Sequence, residues 1–284
     1  PYPEHFTKYI QHLIKKLESE HVKIIVEEEF NAFLQSNIRF STKIDTFNSH
    51  ESLSDNTSFL FSIGGDGTLL KAVTFVRESN IPIMGINTGR LGFISSISAG
   101  EIDDAVNDIL KGNYEINERT LLELNTEKKL FKDKNFALNE VAISKKDTSS
   151  MIRVDAYVDD EFLNTYWADG LVVSTPTGST GYSLSCGGPI IMPGTDNIII
   201  TPNAPHNLNV RPIVIKDNSV IKLKVEDRDQ LALVSLDSRS RAFDSDTELI
   251  IKKAGFKIKL IQPQNNSFTS TIRNKLMWGL DKRS

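Results

Sequence analysis

The stretch S-I-G-G-D-G-T-L-L-K, Ser62 to Lys71, combines two features that oppose one another. Gly64, Gly65, Gly67 and Thr68 form a loop whose backbone N–H groups can approach an anion, and a helix N-terminus favours negative charge there. Asp66, in the middle of that loop, repels the same anion. Phosphoryl transfer reconciles the two: the amides hold phosphates, the Asp66 carboxylate accepts the proton of an attacking hydroxyl, and Mg²⁺ offsets the repulsion. Lys71, one helical turn on, either reaches phosphate or sits as a solvated surface charge. A structural loop with Asp66 as a helix N-cap also fits these residues. The stretch has neither the G-x-G-x-x-G spacing nor the G-K-[ST] ending of the commoner nucleotide motifs.

Two further clusters carry polar chemistry. The run W-A-D-G-L-V-V-S-T-P-T-G-S-T-G-Y-S-L-S-C-G-G-P, Trp167 to Pro189, is dense in small hydrogen-bonding groups. Read alone it is a set of β-turns; beside a phosphate loop it suits sugar hydroxyls and phosphates, with Asp169 for a ribose diol. Cys186 lies in this run without a histidine near it in sequence, which argues against a nucleophilic thiol. In L-N-E-V, Asn139 and Glu140 are adjacent polar residues, and alternation along a strand turns one of them inward or into a cleft. The five histidines lack metal-ligand spacing, and His206 reads as structural.

The elements that must position these residues change character along the chain. Helical spacing over Phe6–Leu17 precedes a β-rich run at His21–Val26, a helix over Glu28–Asn37 and a polar loop over Asn48–Thr57. Strand runs at Ser58–Ile63 and Ile81–Ile86 alternate with helices over Thr68–Arg77 and Glu101–Lys111, so the phosphate loop falls at a strand-to-helix junction of a parallel sheet. After about Tyr114 short strand runs take over: Leu121–Leu124, Ala137–Ser144, Ile152–Val158, Gly170–Ser174, Ile198–Thr201, Val220–Val225, Leu231–Leu236 and Phe256–Ile261. They predict a second, antiparallel β-rich domain beyond a hinge at Gly112–Glu118, with a last helix over Ser270–Leu280.

At 284 residues there is room for two cores, and the net charge of −4 with scattered basic residues gives no footprint for nucleic acid. One cysteine excludes an internal disulfide framework, and no apolar run or leader pattern points to a membrane or to export. A soluble, cytoplasmic protein is expected. The chain opens on Pro1 without methionine, as an α/β domain missing its first strand would.

Taken together, G-G-D-G-T at Gly64–Thr68, N-T-G-R-L-G-F at Asn87–Phe93, L-N-E at Leu138–Glu140, D-G-L-x-x-S-T-P-T-G-S-T-x-Y-S-L-S at Asp169–Ser185 and P-H-x-L-x-x-R-P at Pro205–Pro212 resemble the ATP-dependent NAD kinases of bacterial type. The first motif is shared with diacylglycerol and sphingoid-base kinases and, in variant form, with phosphofructokinases; the polar Asp169–Ser185 run makes the match specific. The resemblance implies a Rossmann-like α/β domain (residues 1–114), a β-rich, β-sandwich-like domain (115–265), a tail (266–284) packing back on the first, and an active site between the domains. It implies transfer of the ATP γ-phosphate, with a divalent metal, to the 2′-hydroxyl of the adenosine ribose of NAD, by a homo-oligomer, dimer or tetramer.

In that scheme Asp66 is the proton acceptor, Gly64, Gly65, Gly67 and Thr68 meet the ATP phosphates, and Gly67, Lys71 and Phe93 contact nucleotide. Asn139 and Glu140 hold a ribose and base, Asp169 meets the nicotinamide end, and Thr180, Gly181, Tyr182, Ser183, Leu184 and Ser185 line the NAD pocket. Asp237 and Arg239, in S-L-D-S-R, match an acidic residue and its neighbour near the site. No protein side chain is assigned to a metal. The chain departs from the pattern at Ala168, where glycine is frequent, at Gly181, where alanine is frequent, and at Ser238, where many members have glycine.

Overall fold

Phe6, Ile10, Leu13, Ile14 and Leu17 all bury on one face of the first helix, as their spacing requires. The computed structural model describes residues 4–38, 40–41, 44–53, 56–89, 92–95, 97–146, 151–226, 231–262 and 267–278. Arg90 and Leu91 of N-T-G-R-L-G-F, Ser54 and Asp55 of the polar loop and residues 279–280 of the expected last helix lie outside the described residues.

In chain order the elements are α1 (Glu4–Ser19), β1 (Ile25–Glu27), α2 (Glu28–Asn37), β2 (Asp45–Phe47), β3 (Leu60–Ile63), α3 (Asp66–Val76), β4 (Ile83–Asn87), β5 (Ile97–Ser98), α4 (Ile102–Lys111), β6 (Glu115–Asn125), β7 (Phe136–Ala137), β8 (Glu140–Lys145), β9 (Ile152–Val158), β10 (Glu161–Ala168), β11 (Gly170–Ser174), α5 (Tyr182–Ser185), β12 (Asn197–Asn203), β13 (Ile213–Lys216), β14 (Ile221–Glu226), β15 (Leu231–Leu236), β16 (Arg239–Asp244), β17 (Leu249–Gln262) and α6 (Phe268–Leu276). They form two compact units, Pro1–Asn117 with Lys259–Ser284, and Glu118–Ile258. The expected boundaries, at 114 and 265, differ because β6 and β17 each run on from one unit into the other without a break.

The first unit is α/β. β3 and β4 pair in parallel from Leu60↔Ile83 to Ile63↔Ile86, β5 joins at Ile86↔Ile97, and Leu260, near the end of β17, pairs with Ile83 in parallel. Every residue of β4 is buried, as in a central strand covered on both faces. Met84, Ile86 and Ile261 pack with Leu13 and Leu17 of α1 and with Ile102, Val106 and Ile109 of α4. α4 begins behind the reciprocal capping box of Ser98 and Glu101 and ends at Gly112, whose φ of 75° no β-branched residue would adopt readily. Leu110 belongs to its apolar periodicity yet is 46% exposed. One helical step, about 100°, turns it off the face that Ile109 buries.

The second unit holds two antiparallel sheets, β13-β12-β11-β8-β15-β16 and β10-β9-β14 with the start of β17. Alternate residues meet in one core: Ile152, Val154 and Ala156 of β9 and Ile221, Leu223 and Val225 of β14 with Val141, Ile143, Leu171, Val173, Ala232 and Val234 of the other sheet. That is sandwich packing. Strands β10, β13 and β16, which the sequence pattern does not announce, lie at the edges of these sheets. β16, R-S-R-A-F-D, buries only Phe243 and reads as polar loop. No described helix is long and apolar enough to cross a membrane.

Leu223 is fully buried in this core. Leu223→Ala should destabilise the protein by about 2–5 kcal/mol, read as a lower urea midpoint; a loss under about 0.5 kcal/mol would mean that the sandwich does not close on this residue.

Candidate active site

In the first unit Asp66 opens α3 behind Gly65, and its side chain caps no amide of that helix. Its carboxylate instead reaches a segment 27–29 residues away: Oδ2 accepts from Phe93 N–H at 2.8 Å, and Oδ1 accepts from Ile94 N–H at 3.3 Å and Ser95 N–H at 3.0 Å. The close approach needs Gly92, where any Cβ would overlap Asp66 Oδ1. A carboxylate oxygen accepts about two hydrogen bonds, so Oδ1 is filled while Oδ2 keeps one accepting direction. Phe93 lies half-buried beneath Lys275 of α6, whose Nζ is 4.8 Å from the ring centroid.

Gly64 has a φ of +153°, and a Cβ there would meet the Thr68 side chain. Gly65, Gly67 and Thr68 are exposed. Lys71 forms ion pairs with Glu29 at 2.6 Å and Glu27 at 3.4 Å, and its hydrogen bond to Glu29 raises its pKa. Glu27 also accepts from Phe30 N–H at the start of α2, so the lysine is drawn towards that helix.

In the second unit the L-N-E tripeptide has every backbone polar group paired. The Asp237 carboxylate accepts from Leu138 N–H at 3.0 Å, Asn139 N–H at 2.8 Å and Glu140 N–H at 3.3 Å. Leu138 C=O accepts from Thr175 Oγ1 at 2.6 Å, Asn139 C=O from Thr175 N–H at 2.9 Å and Glu140 C=O from Asp237 N–H at 3.0 Å. Asp237 serves from the β15–β16 turn with φ 53°, a left-handed conformation that aspartate tolerates better than most residues.

With its backbone satisfied, the tripeptide turns its side chains to other use. Asn139 Oδ1, Glu140 Oε2 and Ser174 Oγ are buried without a hydrogen-bond partner among the described residues, and Ser174 stands opposite Glu140 in the β8–β11 ladder. Asn139 and Glu140 do not diverge as adjacent strand residues would: a Cβ on Gly181 would lie 3.0 Å from Glu140 Oε2 and 3.5 Å from Asn139 Nδ2. Asn139 precedes β8, so strand alternation does not govern it. Gly178 has no room for a side chain, since a Cβ would overlap Asn139 C=O. Burial first, and the Asp237 charge second, push the Glu140 carboxyl up to about 7, against the Tyr182 backbone N–H. Burial likewise raises Asp237, opposed by its three N–H donors and by Arg239.

The other expected residues are placed as follows. Thr180 Oγ1 donates to Thr177 C=O at 3.2 Å in a short 3₁₀ turn, and Ser183 Oγ is buried against Thr201 Oγ1 at 2.9 Å. Tyr182 and Ser185 are exposed on α5 and Leu184 is half-buried; Asn203 Nδ2 donates to the Tyr182 hydroxyl at 2.8 Å. Asp169 pairs with Lys145 at 2.6 Å. Arg239 donates to Lys134 C=O at 2.6 Å and to Phe136 C=O and lies over the Phe136 ring, holding β7. Sequence reasoning did not assign Thr175, Gly178, Lys145 or Gly92. Thr175 and Gly178 lie inside a quoted motif, but their contacts are to a loop over 35 residues away and leave no local pattern.

Gly178→Ala should cost about 1–3 kcal/mol, because the clash is with backbone. Gly181→Ala, whose new methyl meets the movable end of Glu140, should leave the melting temperature nearly unchanged; equal losses in the two variants would overturn this geometry. Folding raises Glu140 from 4.5 to about 7, so the stability it contributes is present below about pH 4.5 and lost as pH rises through 7. Glu140→Gln should therefore raise the melting temperature more at pH 8 than at pH 5, and an equal gain at both would contradict the burial of a titrating acid.

Comparison with known proteins fits this division. Residues 3–114 match the model of the ATP-NAD kinase N-terminal domain, and residues 138–262 that of the ATP-NAD kinase C-terminal domain. The chain is 48% identical to a NAD kinase of Cytophaga hutchinsonii over 285 residues, covering 100% of this chain and 97% of the relative. It is 49% identical to a NAD kinase of Flavobacterium psychrophilum, covering 97% and 94%. Among solved structures, yeast NADH kinase complexed with NADH has a similar fold, with a TM-score of 0.88 at 24% identity over 100% of this chain and 87% of that one. An NAD kinase from Archaeoglobus fulgidus in complex with ATP gives a TM-score of 0.71 at 26% identity, covering 89% and 98%. The chain belongs to the ATP-NAD kinase family.

Proposed function

We propose that the protein transfers the γ-phosphate of ATP to the 2′-hydroxyl of the adenosine ribose of NAD, giving NADP and ADP. One observation carries the assignment of the pocket in the second unit: among the described residues Asn139 Oδ1 and Glu140 Oε2 are buried acceptors without donors, on side chains whose Nδ2 and Oε2 atoms both approach Gly181. Leaving such groups unpaired costs about 1–3 kcal/mol each, and a ligand with two adjacent hydroxyls supplies the missing donors. A ribose diol is such a ligand.

Asp66 is the proton acceptor in this reading. The free accepting direction on its Oδ2 takes the hydroxyl proton as the oxygen attacks the γ-phosphorus, while Oδ1 stays bound to the amides of Ile94 and Ser95. The amides around Gly64–Thr68 hold the donor phosphates, Asp169 meets the nicotinamide end and the Thr180–Ser185 segment lines the pocket. The donor substrate is ATP with its Mg²⁺. Among the described residues no three His, Cys, Asp or Glu side chains converge to hold a metal ion. Alignment and charge neutralisation lower most of the barrier. The enzyme acts as a cytoplasmic homo-oligomer, a dimer or tetramer.

Purified protein with ATP, Mg²⁺ and NAD should form NADP, detected with an NADP-specific dehydrogenase; NAD binding without NADP formation would make it a nucleotide sensor. Asp66→Asn should lower kcat by about 10²- to 10⁴-fold while the NAD dissociation constant moves less than about tenfold. Near-normal kcat would remove Asp66 from the chemistry. A loss confined to nucleotide affinity would leave it only the tethering of residues 93–95.

A further inference from the structure

Asp237 stands near the candidate pocket by sequence motif, yet its carboxylate is fully occupied elsewhere. Three successive backbone amides, Leu138, Asn139 and Glu140, donate to it, and its own N–H closes the loop on Glu140 C=O. We propose that Asp237 is a positioning residue for NAD: it touches no substrate and fixes the backbone from which Asn139 and Glu140 present their unpaired acceptors. The inference rests on the reading of that pocket as the NAD site.

A positioning role differs from mere stabilisation of a turn in what it sets. Clamped amides set the orientation of Asn139 and Glu140 relative to Gly178 and Gly181, which pass so close that an added Cβ would overlap Asn139 C=O at the first and lie 3.0 Å from Glu140 Oε2 at the second. Asp237 is also the acidic charge nearest in effect to Glu140, whose carboxyl is further faced by the Tyr182 N–H, while Cys186 from the end of α5 senses Glu140 in turn. Arg239 of β16 partly offsets Asp237. Ser174 of β11 and Gly178 bring no charge. Loss of the Asp237 charge therefore makes Glu140 more acidic, whereas lengthening the side chain disturbs the clamp and keeps the charge.

The test compares wild type with Asp237→Asn and Asp237→Glu, in the full chain, by steady-state NADP formation across pH 5.5–8.5 (roughly the span about Glu140's midpoint). Wild type should lose NAD affinity as pH falls below about 7, where Glu140 protonates and becomes a poorer acceptor for a ligand hydroxyl. Asp237→Asn should raise KM for NAD about tenfold or more with a smaller change in kcat, leave KM for ATP within about twofold, and move the acidic limb to lower pH. Asp237→Glu should raise KM for NAD while the limb stays near its wild-type position, and it carries the test alone if the Asn variant does not fold. Glu140→Gln should abolish the limb. Unchanged KM for NAD and an unchanged limb in the variants, whatever their melting temperatures, would overturn the inference. Wild type that forms no NADP at all would instead overturn the kinase reading.

Discussion

Two residues, Asp237 and Thr175, take all six backbone polar groups of Leu138, Asn139 and Glu140, and the way this tripeptide presents its side chains depends on that closure. Buried backbone groups must find partners, and in most loops neighbouring side chains supply some of them. Here Asn139 and Glu140 are released from that duty. Their side chains can stay unpaired, which is the state a ligand pocket needs and a folded chain ordinarily avoids. The first unit repeats the device with Asp66 and the amides of Phe93, Ile94 and Ser95. In each case an aspartate at the mouth of a helix or turn holds three consecutive amides of a distant loop; Gly92 makes room for Asp66, and Gly178 lets the Thr175–Gly181 segment lie against Asn139 C=O.

The arrangement carries stability penalties that packing must offset. Glu140 is buried beside Asp237 with one oxygen unpaired, and Asp237 adopts a positive φ. Such strain persists where the surroundings over-determine it. The sandwich core beneath, with Leu171, Val173, Val141 and Ile143 in the strands that carry Ser174 and Glu140, is fully or almost fully buried and provides that constraint. A pocket set directly on the ends of core strands is held more rigidly than one carried by a free loop.

Much of this was legible in sequence because it is local. The helices of the first unit follow from apolar spacing, the central strands from buried runs, and the motifs taken together, above all the Asp169–Ser185 run, point to the family. The edge strands β10, β13 and β16 were not, since a strand with one exposed side and charged residues such as Arg239 and Arg241 has the composition of a loop. The roles within the site were the least legible. Asp66 and Asp237 were readable as important acids, but the amides each one holds lie about 28 and 98 residues away in sequence, and no spacing rule reaches that far. Lys71 follows the phosphate loop in sequence, and its charge is drawn to Glu27 and Glu29, partners that its place in the motif does not reveal.

The first unit is assembled from two pieces of chain, with the second unit encoded wholly between them. Leu260, which completes the parallel ladder beside Ile83, is separated from its partner by the entire sandwich. On a ribosome, residues 118–258 therefore emerge complete while the α/β sheet still lacks a strand, and domains fold as units as they appear during synthesis. The α/β sheet beside the Asp66 loop is completed by a strand segment that follows the sandwich, so a nascent chain stopped before Lys259 would hold a finished sandwich and an unfinished sheet.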